Sequence, residues 1–431
     1  MNDVKRKVVA GNQISPVCNY RESNPKFILA GTLDDGTPTN IPVGEQFLSR
    51  HALLLGGIGT GKTNAFNFLI NNTVNNLSED DVVIIFDTKG DFYKDFYQEG
   101  DIVISNDDKA TGENGKDYWN IFKEITADER VEENLIEIAN ALFAEKIINS
   151  SQPFFPNAAK DIFFALVLHI IRKFPQNGNN EFLRDTFNSF SPEAMIKILN
   201  AHPDLMAMKS YISDPKSGQT LGVVSELQQA VREVFVGNFA KKGNLSIRDI
   251  IRKKGGKVVF IEYDLGIGAM LTPIYRILID AAIKEALSRK SNEGNVYFFI
   301  DEFKLLPNLQ HIDDGLNFGR SMGAKFFCGV QNVSQLYAIY GEHKAKSILA
   351  GFGSNLSFRV TDYETREYIK GLYGTNLRSQ AFLATVNTRG LNEEVRETSV
   401  VEDSDIANLK LGQCLFSAVG NEPFLFQFPK Y

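Results

Sequence analysis

The segment that most constrains this chain is Gly56-Gly57-Ile58-Gly59-Thr60-Gly61-Lys62-Thr63. It satisfies G-x-x-x-x-G-K-[ST] at every fixed position. The apolar run Ala52 to Leu55 precedes it, and the helix-compatible run Asn64 to Asn72 follows. A buried strand, a glycine loop and a helix start, in that order, make a phosphate cradle. The glycines let backbone N–H groups point inward, and the helix start adds a partial positive charge. Gly56 to Thr63, with Asn64 in the first helical turn, are therefore the predicted nucleotide-binding residues. In that role Lys62 reaches the β- and γ-phosphates and Thr63 holds Mg²⁺ through its hydroxyl. A chance Gly-rich turn is the competing explanation, and the flanking pattern counts against it.

At 431 residues there is room for two or three domains. The net charge of −7 argues mildly against a dedicated nucleic-acid coat, although a ring with a basic bore and an acidic outside satisfies both. Cys18, Cys328 and Cys414 are far apart, with neither metal-ligand spacing nor a disulfide framework, which points to a reducing compartment. The N-terminus lacks the apolar core of a signal peptide. The apolar run Ile162 to Ile171 is short of the ~20 residues a membrane span needs. The expectation is a chain that does not cross a bilayer by itself.

Residues 1–50 read as a strand-rich lead-in with a hairpin at Asp34-Asp35-Gly36. The run Val82 to Phe86 ends in Asp87, Lys89 and Gly90. A parallel strand points such residues at a ligand crevice, so Asp87 is a site candidate. A turn aspartate capping the next segment fits it equally well. Helical spacing of Val131, Leu135, Ile138 and Leu142, then of Phe163, Val167 and Ile170, predicts an all-helical insertion over 125–245. Lys241, Lys242, Arg248, Arg252, Lys253, Lys254 and Lys257 cluster against a single acid, Asp249. Such a cluster suits phosphate backbone, but a solvated helix end is the commoner explanation.

Further on, the apolar run Val296 to Ile300 leads to Asp301-Glu302, the Walker B arrangement. The Asp helps hold Mg²⁺, and the Glu orients or deprotonates the attacking water. The next strand ends in Gln331, one helix and one strand later. That spacing predicts Gln331 beside Asp301, where an amide senses the γ-phosphate. Arg320 lies between them, and a planar guanidinium there suits a finger supplied to a neighbouring subunit. Arg359 competes for that role, and a surface ion pair competes with both.

The set Gly56–Thr63, Phe86-Asp-Thr-Lys-Gly90, Ile300-Asp-Glu-Phe303 and Val330-Gln-Asn332 resembles the conjugative coupling proteins of type IV secretion systems (the TraG/TraD class), within the FtsK/HerA branch of P-loop ATPases. Trp119-Asn120, Pro156-Asn-Ala-Ala-Lys160 and Tyr340-Gly341 agree with it, and the likeness runs from about residue 30 to the C-terminus. The resemblance implies an α/β fold: a RecA-like P-loop domain with a mostly parallel central sheet and an inserted all-α domain. The segments would be 1–124, 125–245 and 246–431. It implies a DNA-translocating ATPase that uses ATP and Mg²⁺ and assembles as a homo-oligomer, a hexamer in the family. Lys62, Glu302, Gln331 and Arg320 would be catalytic, and Thr63 and Asp301 would hold the metal. Family members carry N-terminal transmembrane helices and an acidic tail, and neither is present in this sequence. The expectation is a cytoplasmic chain docked at the inner face of the membrane through a separate anchor, with a relaxase and secretion-channel proteins as partners. Two rival readings are a HerA-like translocase working with a nuclease and an ATP-gated docking platform that translocates nothing.

Overall fold

Short apolar runs bounded by Gly, Asp and Pro set the strand pattern. The computed structural model describes residues 6–290, 293–383, 391–418 and 420–431. In chain order the strands are β1 (Arg6–Ala10), β2 (Pro25–Leu33), β3 (Pro38–Gly44), β4 (Ala52–Leu55), β5 (Val82–Asp87), β6 (Ile102–Ile104), β7 (Lys257–Glu262), β8 (Val296–Ile300), β9 (Ala324–Val330), β10 (Ser354–Ser357), β11 (Thr375–Leu383), β12 (Leu391–Ser399), β13 (Gln413–Ala418) and β14 (Phe424–Gln427). The chain folds as two compact units. One comprises residues 1–77, 297–304 and 313–431, and the other 78–296 and 305–312. These limits differ from a division at 125 and 245, because β5, β6 and β7 pack with the helices rather than apart from them.

The first unit is built on a sheet in the order β3-β2-β14-β13-β10-β4-β9-β8. Its middle is parallel: β4 pairs with β10 on one side and β9 on the other. All four β4 residues are buried, as a strand covered on both faces requires. The outer flank is antiparallel and is assembled from both chain ends, with β2 paired to β3 and to β14. The predicted hairpin is present. Gly36, at φ 85°, closes a turn in which the Asp35 carboxylate accepts from the Thr37 amide at 2.9 Å. A separate three-stranded sheet runs β1-β11-β12. Phe298 stacks on Phe326 and Phe299 on Phe327 at 4.6 and 4.5 Å, which ties β8 to β9 through facing aromatic pairs.

The second unit joins the parallel strands β5-β7-β6 to the helical region. Between 125 and 245 the described residues form helices and no strand, including Val131–Asn149, Phe154–Lys173, Asn180–Ser189 and Gly218–Val234. Asn179, Ser191 and Ser217 cap three of the helices through their side chains. Asn120 stitches the two ends of this region, since its amide donates to the Gly178 and Gly243 carbonyls at 3.0 Å each. Phe154–Lys173 is 20 residues long and apolar enough to cross a bilayer by length, longer than the apolar run alone suggests. It also carries Lys160 and Asp161, and Phe163 packs between Phe143 and Phe187 as a core helix residue would.

Candidate nucleotide-binding site

The glycine loop leaves β4 and is held at its first two residues by main-chain bonds. The Gly56 amide donates to the Val330 carbonyl at 3.1 Å, and the Gly57 amide to the Arg359 carbonyl at 3.0 Å. Gly61 then turns into the Lys62–Val74 helix at φ 110°, and a Cβ there would stand 2.7 Å from the Gly412 Cα. Only glycine meets both demands. Among the described residues no side chain caps this helix, which leaves its first amides available to a phosphate. Lys62 is buried, and its ammonium donates to the Gly56 carbonyl and, at 3.3 Å, to that of Gly57. The cation therefore lies in the mouth of the loop.

Two carboxylates approach from the end of β8, and an amide from the end of β9. The Thr63 hydroxyl donates to Asp301 Oδ2 at 3.1 Å, across 238 residues of sequence. Gln331 Nε2 donates to Glu302 Oε1 at 2.8 Å, and Lys304 lies 3.8 Å from Glu302 Oε2. Gly329 makes this convergence possible, because a Cβ on it would fall 2.1 Å from the Asp301 carbonyl oxygen. A hydroxyl and a carboxylate at this spacing are hard oxygen donors of the kind Mg²⁺ selects, so the residues fit that ion.

The remaining candidates fall elsewhere. Arg320 is exposed just before β9, whereas Gln331 follows its far end. Seven residues of strand span roughly 23 Å, beyond the reach of an arginine side chain. Arg320 sits near the start of β4 instead, where it and Lys325 add to the burial that drives the His51 pKa down to about 3. Arg359 is the opposite case: its carbonyl binds the loop, and its exposed side chain has no carboxylate partner among the described residues. Asp87 lies in the other unit. Its carboxylate accepts from the Lys89, Gly90 and Tyr93 amides at 3.1, 2.9 and 2.8 Å, which commits it to its own turn. Burial pushes its carboxyl above the ordinary range.

Part of the basic cluster is paired, and Arg248 alone of it is buried. Arg248 binds Asp128 and Glu285, Arg252 binds Glu285 at 2.7 Å, and Lys254 binds Asp80 at 3.0 Å. These ion pairs tie segments of the second unit together, while Lys241, Lys242 and Lys253 stay exposed, as on a solvated helix end. Sequence reading missed the C-terminal wall of the loop. The Gly412 amide donates to the Thr60 carbonyl at 3.0 Å, and the Phe428 amide donates to that of Gly412 at 3.0 Å. The Asn64 side chain donates to the Pro429 carbonyl at 2.9 Å and accepts from the Tyr431 amide at 2.8 Å. The alternation of Phe424, Phe426 and Phe428 was the only available signal, and it marks a strand without saying where the strand goes.

Residues 37–425 match the family described as the type IV secretion-system coupling protein DNA-binding domain. The chain belongs to this family. It is 24% identical to the coupling protein TraD of Escherichia coli (strain K12) over 447 residues, covering 99% of this chain and 59% of that protein. It thus spans about three fifths of that relative's length. Among solved structures it is similar to the bacterial conjugative coupling protein TrwB in an unbound form, with a TM-score of 0.76 at 18% identity, covering 99% of this chain and 94% of the other. TrwB in complex with ADP and Mg²⁺ matches with a TM-score of 0.71 at 19% identity, covering 100% and 96%. At such identities the structural likeness speaks for the fold, and the fold is that of TrwB.

Proposed function

We propose that this coupling-protein family member is an ATP-driven, DNA-translocating motor subunit of conjugative type IV secretion, working as a homo-oligomeric ring with a hexamer as the expected size. The observation that carries the reading is the meeting of Thr63 with Asp301 and of Glu302 with Gln331 at the strand ends beside the glycine loop. Each pair joins a residue of one motif to a residue of another. The family match favours this reading over a repair translocase or a passive platform.

In the proposed reaction, water attacks the γ-phosphorus and the bond to the β–γ bridging oxygen breaks, giving ADP and phosphate. Glu302 accepts the water's proton. Lys62 and the amides at the start of the Lys62–Val74 helix offset charge on the phosphate oxygens. Mg²⁺, held by Thr63 and Asp301, would supply further charge neutralisation there. Gln331, bound to Glu302, passes the change to the Val333–Tyr340 helix, whose start Asn332 caps by accepting from the Gln335 amide at 3.0 Å. Arg320 acts on a neighbouring copy. Relaxase and secretion-channel proteins are the proposed partners, with a separate anchor holding the ring at the inner face of the membrane.

The test is ATP turnover with and without DNA. Lys62→Ala should abolish turnover with the circular dichroism spectrum unchanged, and the wild type should be stimulated by DNA. Turnover that survives in the variant refutes the site. Wild-type turnover indifferent to DNA refutes the motor.

A further inference from the structure

The second unit has a cleft of its own. β5, β7 and β6 are parallel neighbours, and ligand crevices in open parallel sheets lie at the carboxyl ends of such strands. A cavity of about 230 Å³ lies there, and Lys89, Gly90, Asn106, Lys109, Glu262 and Leu265 are among the residues that line it. All of them belong to the second unit.

The wall of this cleft is held from behind. The Asn238 main-chain amide donates to Asn106 Oδ1 at 2.9 Å, and its side-chain amide donates to the Ser105 and Asp107 carbonyls at 3.1 and 2.6 Å. Gly237 permits the approach, since a Cβ on it would stand 2.1 Å from that same Asn106 oxygen. Asn106 Nδ2 in turn donates to Asp264 Oδ2 at 3.2 Å.

Carboxylates outnumber cations here. Asp87, Asp107, Glu262 and Asp264 stand at the strand ends against Lys89 and Lys109. Three of the four carboxylates are committed. Asp87 holds its three amides. Asp107 accepts from the Ser105 hydroxyl at 2.7 Å and the Lys109 amide at 2.9 Å. Asp264 Oδ1 accepts from the Gly266 amide at 2.8 Å. Glu262 differs. It is only 6% exposed, and its Oε2 binds the Lys109 ammonium. Its Oε1 is buried with no hydrogen-bond partner among the described residues. A buried carboxylate oxygen left in that state calls for a donor. Lys109 is already shared with Asp107 at 3.3 Å and lies over the Tyr93 ring.

The excess of carboxylates repels an anion. A hard metal ion needs several oxygen ligands, and no three acidic, imidazole or thiol groups meet for one among the described residues. A guanidinium needs less. It is weakly hydrated, and it donates to a carboxylate through a planar fork. It also brings an apolar stem, which Leu265, 75% exposed, can cover.

We propose that this cleft receives an arginine side chain of another polypeptide, whose guanidinium donates to Glu262. The probes are blocked arginine (N-acetyl-arginine amide) and blocked citrulline, its neutral isostere, titrated into the full chain at pH 8 and followed by calorimetry. Blocked arginine should bind the wild type with a millimolar Kd, and blocked citrulline at least about tenfold more weakly. Glu262→Gln keeps the shape and removes the charge, so it should bind blocked arginine at least about tenfold more weakly than the wild type. Sedimentation then separates two sources of the arginine. If blocked arginine disperses wild-type assemblies and Glu262→Gln assembles less, the side chain comes from a second copy of this chain. If both leave the assemblies as they were, it comes from another protein. The proposal fails if blocked arginine does not bind the wild type at about 50 mM, if blocked citrulline binds equally well, or if Glu262→Gln binds blocked arginine as the wild type does.

Discussion

Glu302 and Gln331 limit each other's freedom. The amide holds Oε1 at 2.8 Å, which fixes the carboxylate plane and turns Oε2 outward with Lys304 3.8 Å from it. Glu302→Gln removes the acceptor and keeps the shape, so turnover should fall about 100-fold or more while ATP binding persists. Gln331→Ala leaves the acceptor but not its orientation. There kcat should fall roughly tenfold with KM little changed, a split that steady-state kinetics resolves. Gly329 poses a packing question at the same place. An added methyl meets the Asp301 main chain at 2.1 Å, and backbone cannot swing aside as a side-chain tip can. Gly329→Ala should cost about 2 kcal/mol in denaturant unfolding and should weaken Mg²⁺-dependent nucleotide binding by displacing Asp301.

At the scale of elements, the second unit hangs on charges that look from sequence like surface. Arg248 and Glu285 are both buried and lie 3.0 Å apart, and Arg248 also reaches Asp128. Removing Arg248 leaves the buried Glu285 carboxylate with Arg252 as its ion-pair partner and opens a cavity, so Arg248→Ala should destabilise the fold by about 2 kcal/mol, read by chemical denaturation. Neutralising the exposed Lys253 should change stability little. The tips of β5, β6 and β7 carry a second such device. Burial raises the Glu262 carboxyl to about 7, helped by Asp87 and opposed by Lys109. The folded state then holds a proton that the unfolded state releases near pH 4.5, so stability should fall as pH rises between those values. Glu262→Gln should flatten that slope and gain on the order of 2 kcal/mol over the wild type at pH 8, measured by unfolding at pH 5 and 8. These contrasts explain what could be read from the chain. The glycine loop and the apolar runs before Asp87, Asp301 and Gln331 are local signals, each written within a dozen residues, as is the helical spacing from Val131 onward. The commitment of Arg248 to Glu285, the pairing of β14 with β2 and the seating of Tyr431 on Asn64 join distant segments. Nothing in their immediate neighbours records them, so the pairing of Arg248 within the basic cluster could not be read from the chain.

For the whole molecule, the position of Arg320 decides how many chains make one working site. It lies a full strand length from Gln331, so no rotation of its side chain brings it to the γ-phosphate bound by its own loop. If it assists hydrolysis, it does so for another copy, and a single chain is then an incomplete enzyme. Mixing variants tests this. Lys62→Ala and Arg320→Ala chains should each be inactive alone, the first for want of a phosphate grip and the second for want of a finger. In rings assembled from equal parts of both, a site is complete where an intact loop from the Arg320→Ala chain faces an intact Arg320 from the Lys62→Ala chain. Random assembly places that pairing at about a quarter of the interfaces, so turnover should recover to about a quarter of wild type if sites fire independently. It should rise with protein concentration as rings form. Two variants that stay silent together, while each still assembles with wild-type chains, would remove Arg320 from the reaction. Arg359, bonded through its carbonyl to Gly57, would then be the remaining candidate for the finger.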